Sequence, residues 1–469
     1  MRAPSSSSPR VLVVAGVASG VGKTTVTLGL CEAFRQRGLT VQAFKVGPDF
    51  IDPGFHEIVT GRASYNLDGW MCGRDHARAT VARRARDADL AIVEGVMGCF
   101  DGLDGTGDDG STAQVAKWLG APVVLVIDVE AAARSAAAVV LGFEHFDPEL
   151  EIAGVIANRV AGATHARFVR NAIAARCRAV PVGAIPRDAA LTLPERHLGL
   201  VTAAEGPLTT DTRRRLAEIV ERTVDLDALW NLAPPLRIAP PGDGPLPAPP
   251  RARIGVARDP AFCFYYRDNF ALLEAAGGEL VFWSPLADRE VPRVDGLYFG
   301  GGYPELHAAI LAANAPVRDA VHAFATAGGP IYAECGGLMY LADALEDLDG
   351  TTHAMVGLLP TTVRMRPRRL SLAYTEVAFT DATPLGDAGA TARGHEFHYS
   401  RIDPPPAAIP RAYRLRARHG EERAEGYVVE RALMSYVHLH FASNPALADR
   451  FVAACAERSA CREATRSMR

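Results

Sequence analysis

Cys335 stands where an apolar run ends and a helical pattern begins, in Pro330-Ile331-Tyr332-Ala333-Glu334-Cys335-Gly336-Gly337-Leu338. Small neighbours permit the sharp turn of a nucleophile elbow, and a helix N-terminus behind the thiol is expected to lower its pKa toward the reactive thiolate. A lone cysteine is more often core than catalyst; this strand-Cys-Gly-Gly-helix setting singles out Cys335 and none of the other seven. A thiolate attacking a carboxamide needs an oxyanion site and a base. Leu297-Tyr298-Phe299-Gly300-Gly301-Gly302-Tyr303-Pro304 ends a strand in glycines, and the N–H groups of Gly301 and Gly302 could serve the oxyanion, though a tight loop reads the same way. Ser435-Tyr436-Val437-His438-Leu439-His440-Phe441 puts two histidines on one strand face at period 2, so the base is expected there. With His395 and His398 in the same half, a metal site is the competing reading, but the acidic and cysteine ligands to complete it are not patterned around these histidines.

A second chemistry opens the chain. A buried-strand pattern runs directly into Gly16-Val17-Ala18-Ser19-Gly20-Val21-Gly22-Lys23-Thr24-Thr25, with a helical pattern from Lys23. Strand, glycine-rich loop and helix in this order form a phosphate cradle: backbone N–H groups converge on phosphate oxygens, Lys23 neutralises the outer phosphates, and Thr24 offers its hydroxyl to Mg²⁺. Five residues rather than four separate Gly16 from Gly22, so the strict pattern fails at Val17. The nucleotide is expected on Gly16, Ser19, Gly20, Gly22, Lys23, Thr24 and Thr25, with Asn158 placed to read an adenine edge.

Acidic residues follow successive apolar runs, where the C-terminal ends of parallel strands bind ligands. Asp49 and Glu94 are expected to reach the metal on Thr24, since Mg²⁺ is held by one or two carboxylates plus substrate phosphates. Asp52 and Asp101 could contact either metal or substrate. Ser111 begins a helical pattern, either as a plain N-cap or with that helix start facing an anionic ligand; Asp128 reads as structural.

These groups need two scaffolds, and 469 residues exceed one comfortable core. The runs Val11 to Ala15, Val41 to Val46, Leu90 to Glu94, Val123 to Asp128 and Ile152 to Asn158 alternate with helical patterns, which predicts a mainly parallel sheet covered on both faces. From Ala233 to Pro250, eight of eighteen residues are proline, which ends all periodicity. The pattern restarts at Ile254 to Ala257, Leu280 to Trp283, Gly296 to Phe299 and Ile331 to Ala333, with a helix over Val317 to Ala327. The expected organisation is an α/β nucleotide-binding domain over 10–232, a linker over 233–250 and a second α/β domain over 251–460. A formal charge of −4 argues against nucleic acid as a partner. Eight cysteines without CxxC pairs suit reduced thiols in the cytoplasm. MRAPSSSSPR lacks the apolar segment of a secretion signal, and no stretch is apolar enough to span a membrane.

The ordered strings KVGPDFIDPGFH (Lys45 to His56), EGVMGCFDG (Glu94 to Gly102), LPERHLGL (Leu193 to Leu200), FGGGYPELH (Phe299 to His307), AECGGLMYL (Ala333 to Leu341) and SYVHLHF (Ser435 to Phe441) resemble the cobyrinic acid a,c-diamide synthases, including the hydrogenobyrinic acid version, over nearly the whole chain. The resemblance implies a dethiobiotin-synthetase-like P-loop domain followed by a class I glutamine amidotransferase domain; dethiobiotin synthetases also carry the extra loop residue. It implies ATP, Mg²⁺, L-glutamine and a corrinoid whose a and c side chains are amidated in turn. Carried over by motif, Cys335 is the glutaminase nucleophile and His438 its base, Asp49, Asp52 and Glu94 match acidic positions of the synthetase site, and Asp101 one associated with the corrin carboxylate. Glutaminases usually carry Glu two residues after the base; here His440 stands there, which leaves the group that orients His438 open.

The chemistry implied is transfer of the γ-phosphoryl group to a carboxylate and displacement of phosphate by ammonia, which passes from one domain to the other. Cobyric acid synthase shares both domain types but amidates other side chains; KVGPDFIDP sides with the a,c-diamide branch. A nickel-sirohydrochlorin a,c-diamide synthase and, from another class, a partitioning-type ATPase switch are the remaining alternatives. The switch proteins usually carry a lysine early in the loop where Ala18 stands here. Homodimerisation is left open.

Overall fold

The computed structural model describes residues 8–188, 195–196, 199–201, 206, 208–238, 249–366, 371–417 and 422–467. The chain divides into two compact units, residues 1–243 and 244–469.

In the first unit, β1 (Arg10–Gly16), β2 (Val41–Val46), β3 (Tyr65–Leu67), β4 (Leu90–Glu94), β5 (Val123–Asp128), β6 (Ile152–Val160) and β7 (Val180–Pro186) form one sheet in the order β3-β2-β4-β1-β5-β6-β7. Every pairing is parallel. Continuous apolar runs make this possible, because both faces are buried. Val11, Val13 and Ala15 of β1 face one core, and Leu12 and Val14 face the other. β2 to β4 lie to one side of β1 and β5 to β7 to the other, so the chain reverses direction at β1, and a crevice opens outside the strand ends there. The loop after β1 leads into α1 (Lys23–Gln36). Within KVGPDFIDPGFH the residues from Ile51 form α2 (Ile51–Thr60), a helix hidden from the sequence by Pro53 and Gly54. Pro in a first turn forfeits only an N–H that has no helical partner. β3 and β7 also lack a sequence signal, being short and polar-flanked or interrupted by Pro181 and Gly183.

The proline-rich stretch begins attached to this unit. The Val11 amide donates to Pro234 O at 3.0 Å and the Leu236 amide to Pro9 O at 2.7 Å, while the Arg10 guanidinium lies 4.9 Å from the Trp230 ring centre.

The second unit holds a ten-stranded sheet, ordered Gly278–Trp283, Ala252–Ala257, Gly296–Phe299, Ile331–Glu334, Ala432–Ser435, Glu422–Val429, Arg411–Ala417, Ser371–Phe379, Thr391–His398, His438–Leu439. The first five strands run parallel and the rest antiparallel. Ile331–Glu334 lies between Gly296–Phe299 and Ala432–Ser435, so segments far apart in sequence deliver Cys335, the Gly300 loop and the Tyr436–His440 stretch to one sheet edge. Ala342–Glu346, Thr352–Ala354, Leu359–Met365 and Ser400–Ile402 form a separate small sheet.

Candidate active sites

The loop after β1 is shaped by glycines that cannot be exchanged freely. Gly20 and Gly22 have φ of 76° and 93°, the left-handed region that glycine enters without strain. A Cβ on Gly22 would fall 2.3 Å from Asn158 Nδ2, and one on Gly16 would fall 2.7 Å from Val21 Cγ2. Asn158 Nδ2 donates to Val21 O at 2.8 Å and Oδ1 accepts from the Arg159 amide, so its amide group clamps the loop. Arg159, itself at φ 61°, holds Gly20 O at 3.0 Å and pairs with Asp128, which gives Asp128 the structural role expected of it. Lys23 Nζ donates to Ala18 O at 3.0 Å and Met97 O at 2.5 Å, curled over the loop in which Ser19 lies. Burial, then the neighbouring Lys45, lowers its pKa. Thr24 and Thr25 begin α1 beside it.

Glu94 and Asp52 reach the Thr24 hydroxyl, which donates at 2.7 Å to Glu94 Oε1 and lies 3.3 Å from Asp52 Oδ2. Asp49 turns its Oδ1 to the amides of Ile51 and Asp52 at 2.7 and 3.0 Å and so fixes the start of α2. Two residues missed by sequence reasoning complete the cluster. Lys45 Nζ lies 2.6 Å from Asp52 Oδ2 and 3.0 Å from Glu94 Oε1, and His56 Nε2 lies 2.7 Å from Glu94 Oε2 with Nδ1 on Ser64 Oγ. Their signal was present: parallel pairing of β2 with β4 puts Lys45 opposite Glu94, and i to i+4 spacing puts His56 on the face of α2 that carries Asp52. Burial pushes Asp52 well up, assisted by Asp49 and Glu94 and opposed by Lys45. Burial acts the same way on Glu94, but Lys45 and His56 outweigh it and hold that carboxyl far down.

A hard divalent cation fits here. The donors are a hydroxyl and carboxylate oxygens, and Asp52 Oδ1, though buried, has no hydrogen-bond partner among the described residues. Asp101 Oδ2 accepts from the Gly98 amide at 2.8 Å, closing the turn that follows β4. Ser111 is fully buried and its Oγ accepts from the Gln114 amide at 3.0 Å, so its hydroxyl oxygen serves as the N-cap of the helix Thr112–Leu119. Of LPERHLGL, Glu195–Arg196 and Gly199–Leu200 form a two-stranded ladder; the rest lies outside the described residues.

In the second unit Cys335 occupies φ 47°, ψ −100° between its strand and the helix Gly336–Leu341. This is backbone that a non-glycine residue holds only under constraint. The Cys335 amide donates to Ser435 O at 2.7 Å, and Sγ lies 3.8 Å from Phe397 O. A Cβ on Gly336 would lie 3.1 Å from the Gly302 amide nitrogen, and one on Gly301 would lie 2.3 Å from His438 Cε1. Nucleophile turn, glycine loop and imidazole are therefore in successive contact. Phe264 N donates to Gly301 O at 3.0 Å, which fixes the glycine loop from the other side.

One sequence expectation is reversed. Burial raises the Cys335 thiol well above its ordinary range, with Glu305 adding and the Gly336 amide opposing, so the helix N-terminus does not yield a resting thiolate. His438 shows the complementary shift: burial, with His398 adding and Glu396 opposing, pushes it down to about 3. A protonated thiol and a neutral imidazole are the forms of a nucleophile and base before proton transfer, and the Gly301–Gly302 loop lies against both the Cys335 turn and His438. The other histidines have partners of their own. His395 stacks on His438 at 5.1 Å and takes the Tyr266 hydroxyl at 2.8 Å; His398 stacks on Tyr436 at 3.9 Å; His440 packs against Tyr266 at 4.5 Å.

The comparisons agree with both halves. Residues 12–201 match the CobQ/CobB/MinD/ParA nucleotide binding domain family, and residues 253–446 match the CobB/CobQ-like glutamine amidotransferase domain family. A nucleotide-binding unit and an amidotransferase unit in one chain define an ATP-dependent ligase that draws nitrogen from glutamine. Relatives named cobyrinate a,c-diamide synthase match along the whole length. That of Syntrophotalea carbinolica is 48% identical over 456 residues, covering 96% of this chain and 99% of the relative. That of Priestia megaterium is 44% identical, covering 96% and 97%, and that of Salmonella typhimurium 43% identical, covering 94% and 97%. The chain belongs to the cobyrinate a,c-diamide synthase family.

Proposed function

We propose that this enzyme amidates the a and c carboxylates of cobyrinic or hydrogenobyrinic acid, using MgATP and glutamine, through an acyl phosphate. The observation that carries the reading is a phosphate loop with its carboxylates and a Cys335 elbow with its imidazole, in one chain so similar to the named synthases.

The synthetase half acts by holding charge. The loop from Gly16 to Thr25 grips the outer phosphates, which suits transfer of the γ-phosphoryl group. A substrate carboxylate oxygen attacks that phosphorus and ADP leaves. Ammonia adds to the acyl carbon, and phosphate departs to leave the amide. Thr24, Glu94 and Asp52, with Asp49 close by, would hold Mg²⁺. The ion, when bound, neutralises charge on the phosphates. Lys45 keeps Asp52 and Glu94 compensated, and His56 fixes the angle of Glu94. Asp101 and the start of the helix at Ser111 would face the corrin carboxylate.

In the glutaminase half the Cys335 thiol passes its proton to His438 and the thiolate attacks the carboxamide carbon. The amides of Gly301 and Gly302 receive the oxyanion. Collapse expels ammonia with the proton from His438, and water cleaves the thioester to glutamate. No helix among the described residues is long and apolar enough to cross a membrane, and a need for MgATP and glutamine suits a cytoplasmic reaction. The test is incubation of pure protein with MgATP, glutamine and each of cobyrinic acid, hydrogenobyrinic acid and nickel sirohydrochlorin, with amidation followed by mass. Double amidation of a corrinoid supports the reading; amidation of nickel sirohydrochlorin alone contradicts it.

A further inference from the structure

The position two residues after His438, where glutaminases usually carry the carboxylate that orients the base, is His440. It is engaged elsewhere, with Nε2 3.8 Å from Asp268 Oδ2 and its ring against Tyr266. The carboxylate that reaches the His438 ring is Glu334, the residue immediately before the nucleophile, whose Oε2 lies 3.9 Å from His438 Nδ1. Glu334 is 2% exposed, next to a core of Tyr298, Tyr332, Leu439 and Phe441. An ionisable group is costly to enclose in such a place unless it is firmly hydrogen-bonded. Its Oε1 accepts from Tyr332 OH at 2.5 Å and from the Leu439 amide at 3.0 Å, and its Oε2 accepts from Tyr298 OH at 3.0 Å. These bonds tie together the strand that leads to the glycine loop, the strand that leads to Cys335 and the strand that carries His438.

We infer that Glu334 is the positioning residue of the glutaminase: it receives the Nδ1–H of His438, selects the tautomer whose Nε2 takes the Cys335 proton, and stabilises the imidazolium that results. The inference rests on the Cys335–His438 reading above. The separation is 3.9 Å, and catalytic hydrogen bonds often tighten only in the complex with substrate. The proton moves from Cys335 Sγ to His438 Nε2, the sulfur–carbon bond forms, the carbon–nitrogen bond breaks, and the proton leaves with ammonia. Glu334 neither gains nor loses one.

Other titratable groups surround this pair. His395, His398 and Glu396 of the neighbouring strand lie around His438, His440 follows it in sequence, and Gly336, next to Cys335, lies against Gly301. Tyr265, Tyr298, Tyr332 and Tyr413 lie around Glu334.

The experiment measures glutamate release against pH on the full chain, with ammonia-supported amidation as the control for folding. Glu334→Gln is expected to lower glutaminase kcat by roughly 10²–10⁴-fold, to leave KM for glutamine within about two-fold, and to preserve the ammonia reaction. The acid limb of kcat should move to lower pH, because losing the carboxylate makes His438 a weaker base. Glu334→Asp, which keeps the carboxyl group, should hold the limb near its original place. A Glu334→Gln protein that keeps the ammonia reaction and shows unchanged kcat and limb overturns the inference. Glutaminase surviving in Cys335→Ala overturns instead the reading beneath it. Should Glu334→Gln not fold, Tyr298→Phe carries the same test: removing a donor from Oε2 should shift the limb to higher pH, and an unmoved limb overturns the inference.

Discussion

Gly301 lies directly against the His438 imidazole, so close that a Cβ would fall 2.3 Å from Cε1 and 3.1 Å from Nε2. Gly301→Ala must therefore displace either the imidazole or the glycine loop proposed to receive the oxyanion. Glutaminase kcat should fall by about 10²-fold or more, the scale of losing one oxyanion donor, while amidation with ammonium salts stays within about two-fold. Parallel assays of glutamate release and ammonia-supported amidation check this.

Gly22 makes the matching statement for the nucleotide half. Its φ is 93° and its Cβ would collide with Asn158 Nδ2. Gly22→Ala should weaken ATP binding by about 10²-fold, equivalent to roughly 2.7 kcal/mol, with glutaminase activity intact. Titration with a fluorescent ATP analogue is the measurement.

Legible in the sequence were the turns and loops that adjacent neighbours dictate. Cys335 is marked by the glycines that follow it, and Lys23 and Thr24 by the loop before them, since a sharp turn and a phosphate cradle are local needs. Roles that depend on strands meeting were less legible. Asp52 rather than Asp49 points at Thr24 because α2 begins between them. Asn158 grips the loop through a contact 137 residues away in sequence. Glu334 binds the Leu439 amide across 105 residues and so lies near His438, and no spacing rule connects them. The thiolate expectation at Cys335 failed because a helix N-terminus is easily read from sequence and the depth of burial is not.

Lys45 is 3% exposed and lies between Asp52 and Glu94. Lys45→Met leaves two buried carboxylates without their cation, and breaking such a pair costs roughly 3–5 kcal/mol. Urea unfolding should show that loss at low divalent ion, and excess Mg²⁺ should raise the melting temperature of the variant more than that of the parent. Equal shifts would detach Lys45 from the proposed metal-binding cluster.

Glu425 provides a pH dependence. Burial pushes its carboxyl up to about 7, against the Ser435 hydroxyl and the Tyr436 amide that donate to it, from an ordinary value of 4.5. A group raised on folding favours the folded state most while protonated in both states. Its contribution is complete below the unfolded pKa and is lost as pH rises through about 7. The loss is on the order of 2–3 kcal/mol. Stability should fall across that window, and Glu425→Gln should flatten the slope of the urea midpoint against pH. A slope unchanged by the substitution would exclude Glu425 as its source.

In the proposed reaction one chain takes nitrogen from glutamine at Cys335 and places it on a corrinoid at the phosphate loop. The most direct measurement supplies amide-¹⁵N glutamine, MgATP and cobyrinic acid to the full chain and to Cys335→Ala, in the presence of unlabelled ammonia, and reads the isotope in the product. The native chain should carry ¹⁵N at both the a and c amides, and the variant should make the same diamide with unlabelled nitrogen only. Label in the product of the variant, or no diamide from either protein, would contradict the account.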